Sequence, residues 1–318
     1  MVFVLKAALS VPCVLCGERY FMKILILGSN GQLGWELCRQ APKHGFDIIP
    51  FDLPEFDITN PDQVKKAVLE SNASLVINAA AYTAVDKAES EPELAFAVNR
   101  DGPAYLASSC AKANIPLIHI STDYVFDGCK KSPYLESDPV CPLGVYGKSK
   151  AEGEDKVRAG LVEHLIFRTS WLYGIHGNNF VKTMLKLGKE NEILRVVCDQ
   201  YGCPTYAGDL SDAILKISDS ILDGKDVVWG VYHFSNEGET TWHGFAEKIF
   251  LFAREYASIK VKKVDPVMTS FFKTHAKRPL NSSLNCSSIS KNFDINRKPW
   301  RDSLRYMLNL YYQQHDQV

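Results

Sequence analysis

No stretch of the 318-residue sequence reaches the ~18–20 consecutive apolar residues that a membrane-spanning helix needs. A membrane span is therefore not expected. Internal repeats, low-complexity segments and long charge blocks are also missing, which excludes a solenoid and gives no disordered tail. Charge of either sign is not in excess: 36 Lys and Arg stand against 37 Asp and Glu, and they are scattered. With no basic stripe or polybasic arm, neither a nucleic acid nor an anionic membrane surface is an expected partner. Disulfide logic fails as well. Nine cysteines are an odd number, and a chain this long buries enough core to need no staples, so a reduced, cytoplasmic setting is expected. Cys13 and Cys16 form a lone CxxC. A structural zinc site takes about four ligands, and no second CxxC or His pair completes one.

What is present is an ordinary globular balance, 46% hydrophobic and 23% charged. The length suits one large α/β domain, or a nucleotide domain with a smaller companion. Residues 1–21 hold one lysine, Lys6, in a short apolar run that faintly resembles a signal peptide. No small-residue cleavage site follows, and strand-like sequence begins at Met22, so 1–21 is expected to be a dispensable extension. From there strand and helix signals alternate. Short apolar runs at 23–27, 46–51, 75–78, 116–120 and 164–168 predict strands; 33–43, 62–70, 93–113 and 145–158 predict helices. Parallel strands need helical crossovers, so this rhythm predicts a doubly wound α/β fold of Rossmann type, with ligands beyond the strands' carboxyl ends. After about residue 172 Gly, Pro, Asn and Tyr become frequent, with helices predicted near 208–223, 241–255 and 301–312. The expected organisation is a dinucleotide-binding domain over 22–171. A mainly substrate-binding region over 172–318 is interleaved with the last elements of the main sheet.

The first predicted strand runs into GSNGQLG at 28–34, with Gly28, Gly31 and Gly34 spaced GxxGxxG. Glycines let the backbone turn tightly and approach a pyrophosphate, while the helix that starts there aims free N–H groups at it. Such loops also occur as plain turns; the placement between strand and helix favours a dinucleotide site, with Asn30, Gln32 and Leu33 in the loop. Asp52 ends the second strand, where a carboxylate can bind the adenosine ribose hydroxyls, which favours NADH over NADPH; the alternative is an ordinary turn aspartate. Asp57, with Ile58, falls near the adenine or in a solvated loop. Ala79 to Ala81, Tyr82 and Thr83 follow the third strand, where small residues leave room for a cofactor or serve close packing.

Ser121, Thr122 and Asp123 follow the fourth strand, and Tyr146 and Lys150 make Tyr-x-x-x-Lys at the start of a helix. Residues four apart share one helical face. A nearby ammonium lowers a phenol's pKa, which would fit Tyr146 for acid–base work. The Thr122 hydroxyl would polarise a carbonyl beside it. Helix packing for Tyr146 and a solvated face for Lys150 are the bland alternatives. They weaken once the pair is seen behind the strand-end STD and the glycine loop.

Together these residues resemble the extended short-chain dehydrogenase/reductase superfamily. More narrowly, GSNGQLGWEL, NAAAYTAVDKAESEPE, STDYVFDG, VYGKSKAEGE, FRTSWLYG, GNNFVKTML and RPLNSSLN are similar to the dTDP-4-dehydrorhamnose reductase family. The resemblance implies NADPH- or NADH-dependent reduction of the C4 ketone of a dTDP-linked 4-keto-6-deoxy sugar. It gives Thr122, Tyr146 and Lys150 the catalytic roles. Gly28 to Gly34, Asp52, Asp57, Ile58 and Ala81 to Thr83 take the cofactor. Thr122, Asp123 and Trp171 take the sugar, and Arg278 the diphosphate. It also implies a homodimer and, in some members, Mg²⁺ at a glutamate-lined contact. Glu36 matches one such position, but Gly208 or Asp209 and Leu310 stand at the others, so weak or absent magnesium dependence is expected. Two rivals share the resemblance. A sugar-nucleotide dehydratase would place Glu where Tyr124 stands, and an epimerase would retain its NAD. A regulatory subunit like that of methionine adenosyltransferase would bind the coenzyme without turnover.

Overall fold

A computed structural model describes residues 22–315. Residues 1–21, with Cys13, Cys16 and the expected dispensable extension, lie outside the described residues.

The core is a six-stranded parallel sheet in the order β6-β5-β4-β3-β1-β2, made by β1 (Met22–Leu27), β2 (Phe46–Phe51), β3 (Leu75–Asn78), β4 (Leu117–Thr122), β5 (His164–Thr169) and β6 (Gly230–His233). The apolar runs are continuous because both faces are covered. In β1, Ile24 and Ile26 enter one core while Leu25 and Leu27 enter the other, and all four are fully buried. β5 divides the same way, Leu165 and Phe167 against Ile166. Each such burial contributes about 1.5–3 kcal/mol against the unfolded chain. On one face Leu33 and Leu37 of α1 (Gln32–Gln40) meet Leu210 and Ile214 of α6 (Ala207–Leu222). On the other lie α2 (Pro61–Glu70), α3 (Gly102–Ala113) and α4 (Val145–Gly160), through Val64, Leu106 and Val157. Strand order reverses between β1 and β3, which opens a crevice at their carboxyl ends.

Two helices differ from their expected form. The helix expected over 33–43 ends at Gln40, followed by a 3₁₀ turn with Pro42 in its first turn and Gly45 at a φ of 78°. The helix expected over 93–113 is a short helix (Pro92–Phe96), a π turn (Ala97–Asp101) and then α3. Pro103 has no N–H to give the Asn99 carbonyl four residues back, and the extra residue of a π turn absorbs the defect. A Cβ on Gly153 of α4 would overlap that same carbonyl oxygen, so α4 rests directly on the π turn.

Past residue 172 a third core forms around α5 (Phe180–Glu190), α7 (Trp242–Ala253) and α8 (Trp300–His315), with Val181, Phe245, Ile249, Trp300 and Leu304 buried. Yet α6 and β6, which also follow residue 172, pack on the first sheet.

Candidate active site

A cavity of about 770 Å³ opens where the strand order reverses. Its wall runs from Gly28, Asn30, Gly31, Gln32 and Leu33 through Asp52, Asp57 and Ile58 to Ala81 and Thr83, and on to Thr122, Asp123, Tyr146, Lys150 and Trp171. Residues picked for a coenzyme and residues picked for chemistry thus share one hollow.

The glycine loop is built for close approach. Gly28 has a φ of 77°, and a Cβ there would lie 2.5 Å from the Ala80 nitrogen. Gly34 is not in the wall but beneath it: its Cβ would overlap the Gly28 carbonyl oxygen. Gly31 caps α1 without any side-chain bond to the first-turn N–H groups, which leaves them for an anion. Asp52 does a job that the sequence did not show. Its carboxylate accepts from the Asn30 amide at 2.7 Å and the Leu53 amide at 2.8 Å, tying the loop to the end of β2. Asp57 accepts from the amide and hydroxyl of Thr59 at 2.9 and 2.8 Å. A cradle with no room for a Cβ, uncapped N–H groups and a cavity of this size fit a dinucleotide.

Tyr82 borders the cavity with neither ring nor hydroxyl. Its hydroxyl donates to Glu91 at 2.5 Å, and its backbone is clamped by Asn99, whose side chain accepts from the Tyr82 amide at 2.9 Å and donates to its carbonyl at 3.1 Å. The Asn99 amide also donates to Ser149 on α4 at 3.0 Å. One residue of the π turn therefore couples the loop after β3 to the helix that carries Tyr146 and Lys150. The one sequence signal that could have found it is Pro103, inside the helix expected over 93–113.

β4 delivers Thr122 and Asp123 to the cavity floor. The Thr122 hydroxyl donates to Asp123 at 3.0 Å and accepts from the Tyr124 amide at 3.2 Å. Burial pushes the Asp123 carboxyl up to about 7 despite the nearby Ser282 and Thr122 hydroxyls, and its Oδ2 has no hydrogen-bond partner. Beside them burial pushes the Tyr146 phenol up to about 12, against the pull of Thr122. The expectation that Lys150 lowers the Tyr146 pKa is corrected here. The Lys150 ammonium points inward, donating to the Ile120 carbonyl at 2.5 Å and lying 3.4 Å from His119 Nε2. Its own pKa is pulled down to about 8 by burial, with Glu154 opposing. At neutral pH Tyr146 is a protonated donor.

Under this floor sits an ion pair that sequence reasoning missed. Arg168 of β5 grips Glu154 of α4 at 2.6 Å, and the Ser121 hydroxyl donates to the same carboxylate at 2.5 Å. Their side chains are 2% and 1% exposed. No motif marked them, since each reads alone as an ordinary charged residue.

Trp171 enters from the far side at a backbone φ of 48°, a conformation costing on the order of 1–3 kcal/mol for a non-glycine residue. Its indole N–H donates to Ser282 at 3.1 Å. Arg278 is not in the cavity wall; it pairs with Asp86 at 2.6 Å. Glu36 is fully buried away from the cavity, its Oε2 taken by Arg39 at 2.5 Å and Gln40 at 3.0 Å. Asp209 is bound by Asn236, Lys298 and Ser303. Among the described residues no group of three or more His, Cys, Asp or Glu is placed to hold a metal ion.

A parallel sheet with a glycine cradle at its switch point, and Thr, Tyr and Lys meeting across the crevice, defines a Rossmann-fold oxidoreductase of the short-chain dehydrogenase/reductase kind. Known proteins narrow the class. The family model described as RmlD substrate binding domain matches residues 22–313, and the chain belongs to that family. It is 43% identical to a dTDP-4-dehydrorhamnose reductase of Aggregatibacter actinomycetemcomitans, over 89% of this chain and 97% of that protein. With the enzyme of that name from Escherichia coli K12 it shares 41%, over 91% and 97%. Among solved structures, dTDP-4-dehydrorhamnose reductase of Bacillus anthracis in complex with NADP superposes with a TM-score of 0.85 at 40% identity, covering 91% of this chain and 99% of that one. A UDP-glucose 4-epimerase of Thermus thermophilus, at 18% identity and a TM-score of 0.74, shares the fold.

Proposed function

We infer that this chain reduces the C4 ketone of dTDP-4-dehydro-β-L-rhamnose to give dTDP-β-L-rhamnose, with NADPH or NADH as reductant. One observation carries the reading: the dinucleotide cradle and the Thr122, Tyr146 and Lys150 set border a single cavity, in a chain 43% identical to a reductase of that name. The names of such relatives support turnover over the regulatory reading, and reduction over epimerisation or dehydration.

The residues fit a nicotinamide dinucleotide, which supplies the hydride when bound. Gly28, Asn30, Gly31, Gln32, Leu33 and the start of α1 hold the diphosphate through backbone N–H groups. Asp52, Asp57 and Ile58 border the adenosine half. Ala81, Thr83 and Lys150 border the nicotinamide half. Thr122, its hydroxyl proton turned from Asp123, donates a hydrogen bond to the ketone oxygen, which polarises the carbonyl. Tyr146, kept protonated by burial, gives its proton to that oxygen as the carbon gains hydride. C=O becomes CH–OH, and solvent returns a proton to Tyr146. Asp123 and Trp171 line the sugar side. Arg278 reaches the sugar nucleotide's diphosphate by exchanging Asp86 for it, since a guanidinium matches both oxyanions.

NADPH is supported by the Bacillus anthracis complex with NADP. NADH is supported by the Asp52 charge, which would repel a 2′-phosphate. The proposal includes both coenzymes, a homodimer read from the resemblance alone, and weak or absent magnesium dependence read from the residues at the matched positions. A cytoplasmic location is supported by seven free cysteines among the described residues. No helix of the described residues is long and apolar enough to cross a membrane.

The test is coenzyme oxidation with dTDP-4-keto-6-deoxyglucose plus a 3,5-epimerase, with the product identified by mass and NMR. Formation of dTDP-L-rhamnose is expected. A folded, coenzyme-binding protein that oxidises neither coenzyme would overturn the reading.

A further inference from the structure

Trp171 borders the cavity, but Trp242 behind it does not, and the two indoles stack with ring centroids 3.6 Å apart and planes 8° from parallel. Two other contacts fix the front ring. Its N–H donates to Ser282 at 3.1 Å, and Ser282 in turn donates to the Tyr201 carbonyl at 3.3 Å. Its edge lies over Gly202, where a Cβ would come within 2.5 Å of Cε2 and 2.8 Å of the Ser282 hydroxyl. Trp242 is backed by Phe180 of α5, with centroids 4.5 Å apart. The strained backbone at Trp171 would not hold this indole by itself; a φ of 48° persists only where surroundings over-determine it. One face is covered by Trp242 and one edge by Gly202 and Ser282, which leaves the opposite face for whatever enters the cavity.

We propose that Trp242 is a positioning residue: stacked on Trp171, it sets that indole as a rigid wall of the sugar subsite and so governs affinity for the sugar nucleotide. Phe180, Gly202 and Ser282 complete the mount. The ring is not part of the wall of the cavity that Tyr146 and the coenzyme cradle share, so it adds nothing to proton or hydride transfer. A flat, immobile indole suits the apolar face of a deoxy sugar, whose methyl-bearing side offers no hydrogen bonds. A mount of this kind helps by removing side-chain freedom before binding. The inference rests on the proposed function, because it takes the ligand to be a sugar nucleotide.

The experiment compares wild type, Trp242→Phe and Trp242→Leu in the coupled assay and in calorimetric binding of dTDP-L-rhamnose. Ultraviolet circular dichroism is recorded on each and on Trp171→Phe. Two stacked indoles this close give an exciton couplet, which is expected in wild type and lost in all three variants. Trp242→Leu is expected to raise KM for the sugar nucleotide about tenfold, with kcat down no more than about twofold and the coenzyme KM unchanged. Trp242→Phe should recover most of the affinity. Loss of the couplet with KM and binding unchanged would overturn the inference while leaving the reductase reading intact. So would equal damage to kcat and the coenzyme KM, which marks general disruption. A wild-type protein that neither reduces nor binds the sugar nucleotide would overturn both.

Discussion

Replacing Glu154 with Gln keeps the side chain's shape, removes its charge and turns one of its two acceptor oxygens into an amide donor. The structure says what that leaves behind. Arg168, 2% exposed, donates to both oxygens of Glu154, at 2.9 and 2.6 Å, and otherwise, among the described residues, only to the Glu136 carbonyl at 3.5 Å. The centre of the Phe126 ring lies 5.1 Å from the guanidinium carbon. A buried cation without its anion costs about 3–5 kcal/mol. Against a total stability of about 5–15 kcal/mol that is a large loss. At about 2–4 °C per kcal/mol it lowers the melting temperature by roughly 10 °C. Thermal and urea unfolding of Glu154→Gln, Arg168→Met and Glu154→Leu/Arg168→Met measure it. The double variant should be more stable than either single one, because a matched apolar pair leaves no orphaned charge. Catalysis should show a second effect. Glu154 supports the charged form of Lys150, which borders the coenzyme, so the loss of coenzyme affinity as that ammonium deprotonates should begin at lower pH in Glu154→Gln. A loss below about 1 kcal/mol, with no recovery in the double variant, would refute the reasoning.

Gly34→Ala is expected to raise the KM of either coenzyme at least about tenfold, because its Cβ would lie 2.7 and 2.8 Å from the Gly28 carbonyl carbon and Ser29 Cα, both backbone atoms that cannot swing aside. Steady-state kinetics would read it, and an unchanged KM would show that the cradle is not where the coenzyme binds. Asp52→Ala should move the NADH/NADPH ratio of kcat/KM towards NADPH and, through the lost bond to the Asn30 amide, weaken both coenzymes. An unchanged ratio means that the carboxylate only shapes the loop. The pH dependence of stability follows from two buried groups. Asp123 keeps its proton to about 7 in the fold against an ordinary 3.8, so its contribution is full below about 4 and falls as pH rises towards 7. Lys150, pulled down to about 8 from 10.5, opposes folding while charged, and stability should recover between those values. Urea midpoints of wild type, Asp123→Asn and Lys150→Met across pH 4–10 would separate the two.

The sheet was legible because its signals are local. Runs such as Ile24 to Leu27 are apolar at every position, and a strand buried on both faces has no other pattern. Part of the cavity wall was legible for the same reason, since Gly28, Asp52 and Thr122 each follow or end a strand; Val98, Gly177 and Asn179 of the same wall were not. Interactions that join distant segments were not. Asn99 reaches Tyr82 across 17 positions, Arg168 reaches Glu154 across 14, and Trp171 reaches Ser282 across 111. The direction of a long side chain was equally hidden. Lys150 lies one turn from Tyr146, yet its ammonium turns to the Ile120 carbonyl, which helical spacing cannot reveal. Glu36 matched a carboxylate position, and Arg39 one turn on takes it instead.

The central claim is that hydride reaches the sugar's C4 while Tyr146 supplies the proton. The direct measurement is reaction of the wild type with NADPH deuterated at both C4 positions of the nicotinamide, followed by mass and proton NMR of the product, with Tyr146→Phe as the comparison. One deuterium at C4 of dTDP-rhamnose is expected, with turnover in Tyr146→Phe reduced at least about a hundredfold while coenzyme binding survives. Product without deuterium at C4, or near-normal turnover in the Phe variant, would contradict the account.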